Sequence, residues 1–140
     1  MKKYIKYIVL LVIIIVIFIL GFFIYKNLFA NSVNSRYKDI ESYKLTNAEK
    51  NSAKDKIDEL EKVKSVKIYK HSKIIKIVVK LEEDIDFENI KTKANEVITS
   101  FSEENLSYYD LEFFVESSNK ESDVYPQIGY KFKANEEFAW

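Results

Sequence analysis

Hydrophobic and polar positions divide this chain into one uniform apolar block and a series of short periodic segments. The block runs unbroken from Tyr7 to Tyr25, behind Lys2, Lys3 and Lys6. As a helix it reaches roughly 28 Å at 1.5 Å per residue, close to the ~30 Å hydrocarbon core of a bilayer. It reads as a transmembrane helix over 7–25, with residues 1–6 before it and Tyr7 and Tyr25 near its two boundaries. A cleaved secretory signal also starts with lysines, but its apolar core usually runs about 7–15 residues and ends on a small-x-small site. Here Tyr25, Lys26, Asn27, Leu28 and Phe29 close the block, and Ala30-x-Ser32 lies well beyond it. The reading is an uncleaved signal-anchor.

After a polar juxtamembrane stretch over 26–45, read as a stalk, regular periods begin. Thr46 and Glu49 stand at capping-box spacing, and Ala48, Ala53, Ile57 and Leu60 keep one face of a helix apolar to about Lys62. The period then changes to two. Val66 and Ile68 mark a strand over 65–70, a turn falls near His71 and Ser72, and a second strand over 74–81 puts Ile75, Ile77, Val79 and Leu81 on one face. Asp84 or Asp86 caps the next helix, whose stripe is Phe87, Ile90, Ala94, Val97, Ile98 and Phe101. A third strand over 108–116 places Tyr109, Leu111, Phe113 and Val115 inside. A fourth, over 125–133 with Pro126 at its start, is expected to turn Ile128, Tyr130 and Phe132 inward.

The order α-β-β-α-β-β predicts one α+β domain over 46–140: a four-stranded, mostly antiparallel sheet with two helices on one face. That layout is similar to bacterial envelope modules built of repeated αββ units, the phospholipid-associated BON domains among them. This chain lacks the glycine-marked strand turns expected there, and a likeness of layout carries no function.

Composition narrows the classes. There is no cysteine, which removes disulfides, a disulfide-linked partner and thiolate metal sites. Richness in Ile, Lys, Asn and Glu suits an AT-rich bacterial genome. The zero net charge conceals a division: residues 31–80 hold 13 basic and 7 acidic side chains, residues 81–140 hold 5 and 15. The part beyond the apolar block is acidic in sum, so no nucleic-acid partner is expected. The three lysines ahead of the block outnumber the charge just after it. The expectation is therefore a cytoplasmic N-terminus, with the domain outside the cell membrane.

No constellation carries chemistry. His71 is the sole histidine and reads as a solvent turn residue, since no G-x-S-x-G nucleophile turn exists for it to serve. The run Glu82, Glu83, Asp84, Asp86, Glu88 has the oxygens for a hard cation, but it lacks the glycine of a calcium loop and doubles as a helix start. No catalytic residue, cofactor or metal is expected, and the chain reads as no enzyme. On the outer sheet face, Lys67, Lys76 and Lys80 stand against Asp110, Glu112 and Glu116, which suggests cross-strand ion pairs. Exposed Tyr69, Tyr108 and Phe114, with Phe138 and Trp140 in the tail, form the candidate partner surface. The leading reading is an accessory or structural subunit that binds another envelope protein. The alternative is a module contacting lipid headgroups or anionic wall polymer, and an enzyme without a recognisable motif ranks third.

Overall fold

The structure is a computed structural model that describes residues 2–26 and 39–140. The chain divides after Lys38 into two compact units. In the first, helix α1 spans Lys2–Tyr25. Its stretch Tyr4–Tyr25 has a mean hydropathy of 3.5 and no burial, so by length and composition it suits a membrane crossing. Apolar side chains on every side of an exposed helix leave it no stable place in water.

The second unit, Asp39–Trp140, holds three helices and one sheet. Most of the expected stalk, residues 27–38, lies outside the described residues. Its last part packs onto the domain: Tyr43 stacks on Tyr108 at 4.0 Å, and the Tyr43 carbonyl accepts from the Tyr109 hydroxyl at 2.7 Å.

Helix α2, Asn47–Asp58, starts with the capping box read from sequence. Glu49 also does more. While one carboxylate oxygen accepts from the Thr46 N–H and hydroxyl, the other accepts from the Ser102 N–H at 2.9 Å and the Asn105 amide at 2.7 Å. Ser102 caps α4, Glu103–Tyr108, a short helix that the sequence reading merged into the loop and third strand. One carboxylate thus joins two helix starts. Burial alone would raise its pKa. The bonds from Ser102, Thr46 and Asn105 outweigh that and bring it down from 4.5 to about 2.

Helix α3, Phe87–Ile98, is capped by Asp86, whose carboxylate accepts from the Glu88 N–H at 3.1 Å. Ile90, Ala94, Val97 and Ile98 are buried, as is Phe101 just beyond the helix. The strands are β1 (Val63–His71), β2 (Ile74–Leu81), β3 (Asp110–Ser117) and β4 (Gln127–Lys131), in that spatial order. β1/β2 and β3/β4 are antiparallel, whereas β2/β3, at the centre, are parallel. The sheet is therefore mixed. The helical connection through α3 and α4 returns the chain to the end where β2 began, and a parallel neighbour follows from that return. Ile75, Ile77, Val79, Leu81, Leu111, Phe113 and Val115 are fully buried on the inner face, in one core with Ala53 and Ile57 of α2 and the α3 stripe.

The fourth strand is a correction. Ile128 pairs with Phe114 and Tyr130 with Glu112, so both stand on the outer face, 43% and 40% exposed, while Phe132, beyond the strand, is 56% exposed. Gly129 and Lys131 face inward. The reason is the tail. Ala139 bridges Tyr130 through two backbone bonds, at 2.8 and 2.9 Å, and Phe138 is buried with its N–H on Asn95. The Trp140 indole then lies against Gly129, where a Cβ would meet the ring at 2.8–3.0 Å. It also packs edge-on against Phe87 and Phe113. The tail's aromatics fill the inner space that β4 side chains would otherwise have taken.

Two outcomes test this account. Stability supplied by Glu49 is complete above its ordinary value of 4.5 and is lost as pH falls toward about 2, because the folded pKa is the lower one. Thermal melts across that window should show the gap between wild type and Glu49→Gln closing in acid; a gap constant with pH would refute the role. Trp140 is the sole tryptophan, so its emission reports the tail alone. Wild-type emission should be blue-shifted and hard to quench. Gly129→Ala, which must displace the ring system rather than a flexible chain end, should red-shift it and lower the melting temperature by several degrees.

Candidate interaction surface

The three helices leave the outer sheet face uncovered among the described residues of this unit, and the strand register arranges it in rows. The first row, from β1 to β4, is Tyr69, Lys76, Glu112, Tyr130. The next is Lys67, Val78, Phe114, Ile128, and beyond it stand Ser65, Lys80 and Glu116. Lys76 meets Glu112 at 2.9 Å and Lys80 meets Glu116 at 3.0 Å. These are the cross-strand pairs that the sign pattern suggested. The hydrogen bond to Glu112 raises the Lys76 pKa against partial desolvation, and the neighbouring Tyr69 and Tyr130 add to the rise. Within the face, four charges cancel in two pairs. What remains between and beside them is Val78, Phe114 and Ile128, with Lys67, unpaired among the described residues, on the β1 side and a tyrosine at either end of the first row.

Of the candidate residues, Tyr69 and Phe114 lie on this face. Tyr108 does not: it sits at the end of α4, stacked on Tyr43 and edge-on to Tyr109, with the Lys73 ammonium 4.8 Å from its ring centre. Phe138 and Trp140 belong to the inner layer. Ile128 and Tyr130 complete the surface, and sequence reasoning missed both by inverting β4. A signal was present in Gly129, because a lone glycine inside a strand often marks the close approach of a bulky group.

The acidic run does not converge. Glu83 pairs with Lys62 at 2.8 Å, Asp84 accepts from the Asn119 amide, Asp86 caps α3, and Glu88 pairs with Lys91 at 2.7 Å. Among the described residues no group of three or more His, Asp or Glu could hold a metal ion. His71 is exposed at the end of β1. A shallow cleft of about 300 Å³ lies between the end of α2 and α3, lined by Glu59, Leu60, Ile85, Asn89, Thr92 and Lys93 among others. Its lysine is already committed to Glu59 at 2.8 Å and Glu96 at 2.6 Å. Compared with known proteins, the chain matches no family model, no curated protein and no solved structure.

The half-buried Lys76–Glu112 pair should show a coupling in a double-alanine cycle near the upper end of about 0.2–1 kcal/mol. The more exposed Lys80–Glu116 pair should show less. Equal, negligible couplings in chemical denaturation would mean that the pairs do not help hold the register.

Proposed function

We propose that this chain is a single-pass membrane protein of the bacterial cell envelope that holds a non-enzymatic docking domain outside the cytoplasm. Its task is to bind another envelope protein through the outer face of the sheet. The observation that carries this reading is the uncovered apolar row Val78–Phe114–Ile128, flanked by Tyr69 and Tyr130. Aromatic side chains of this kind are the usual anchors of protein interfaces. The internal Lys–Glu pairs weigh against a polyanion on the same face, since they neutralise Lys76 and Lys80 and leave Lys67 at its β1 side. Membrane attachment is supported by α1, and the orientation by Lys2, Lys3 and Lys6.

The alternative, contact with headgroups or anionic wall polymer, draws on the basic first half of the domain. Ionic strength separates the two. Attraction to a polyanion should collapse with rising salt, whereas an aromatic-anchored interface should persist.

Orientation and docking are tested separately. Lys120 is exposed in the loop before β4, so a cysteine there should react with a membrane-impermeant reagent in intact cells. Protection until lysis would reverse the topology. A photo-crosslinking residue at Phe114 or Ile128 in membranes should trap a discrete partner protein, in high salt as in low. One at exposed Glu104, away from the sheet face, should not. Identical products from both positions would sink the proposed surface.

A further inference from the structure

The sheet has two edges, and they are treated differently. At β4 the tail caps part of the edge by a bridge between Ala139 and Tyr130, whereas among the described residues β1 pairs only with β2. Among the described residues, no backbone hydrogen bond reaches the far side of β1, a strand of nine residues. Its inner-facing Val66 and Ile68 are only half-buried, although the corresponding side chains of β2 and β3 are fully covered. Lys64 and Lys67 are exposed and form no ion pair among the described residues. Between Lys62 and Leu81 the sequence contains seven lysines and no acid.

We infer that β1 accepts an extended acidic segment of a partner protein as a fifth strand, its apolar residues turned toward Val66 and Ile68 and its carboxylates toward Lys64 and Lys67. The inference rests on the docking reading above and names the partner's chemistry. The fold already contains the pattern of such a strand: β3 puts Leu111, Phe113 and Val115 inside and sets Glu112 and Glu116 against the lysines of β2. Strand addition to an open edge supplies backbone bonds, and alternate side chains supply selectivity. Two other occupants fit poorly. A second copy pairing β1 with β1 about its centre would set Lys67 against Lys67 and Lys64 against Lys70, and like charges directly opposite destabilise a sheet. The chain's own 27–38 segment carries Arg36 and Lys38 and no acid. Edge lysines ordinarily discourage self-association. Here the same charges also select what is admitted.

The test uses the full chain in detergent micelles and two ten-residue peptides, one alternating Val and Glu, the other Val and Lys. Hydrogen exchange of β1 should slow about tenfold with the Val–Glu peptide at ten times its Kd, and stay unchanged with Val–Lys. The double variant Lys64→Glu, Lys67→Glu should reverse that preference while exchange in α3 stays at the wild-type rate, which shows that the fold is intact. The inference is overturned by protection that spares β1, by an unchanged preference in the charge-reversed variant, or by β1 protection that rises with protein concentration alone. It is equally overturned if phosphatidylglycerol vesicles protect β1 as well as the peptide does. Failure on any of these counts leaves the outer-face reading standing, because that is read by crosslinks from Phe114 and Ile128.

Discussion

The pairing of β2 with β3 is the interaction on which the rest of this domain depends. One register does two things at once. It sets Ile75 beside Leu111, Ile77 beside Phe113 and Val79 beside Val115 in the core, and it aligns Lys76 with Glu112 and Lys80 with Glu116 outside. Apolar alternation alone cannot choose between registers that differ by two residues, because each keeps the same side chains inside. The charges can. A shift of two leaves at least one lysine facing Phe114 or a neutral loop residue, and only the observed register satisfies both pairs. Modest ion pairs thus carry a selective role larger than their contribution to stability.

The helices depend on that centre in turn. The crossover from β2 to β3 must hold α3 over the inner face, and its stripe from Ile90 to Ile98 meets that demand. Glu49 then ties the beginning of α2 to the turn that launches α4 and β3. The contact links residues more than fifty positions apart through a single side chain, so the order of the elements is secured by polar geometry as well as by packing.

Much of this was legible in the chain. The capping box, the α3 stripe and the inner faces of β2 and β3 follow from local periodicity, and the Lys–Glu complement was visible as opposite signs at matching intervals. Three things were not. Parallel pairing is a property of the crossover, not of either strand. Helix α4 is six residues long and too short to display a period. In β4, apolar residues lie on the solvent face because the core beneath them is filled from the tail. A strand's phase is read by assuming that its apolar side faces inward, and here Trp140 takes that place. Half of the surface followed the same division: Tyr69 and Phe114 could be placed from their own strands, whereas Ile128 and Tyr130 could not. The two tail aromatics grouped with them are part of the interior.

The unequal edges carry one more consequence. A unit that can be extended at both ends of its sheet behaves as a bifunctional monomer, and successive strand additions then build an open chain of unlimited length. With Ala139 seated on Tyr130, only the β1 edge among the described residues is without a bridging segment. In the vocabulary of step-growth polymerisation, the strand addition inferred for β1 would then be chain-terminating: a complex of fixed stoichiometry rather than a growing polymer.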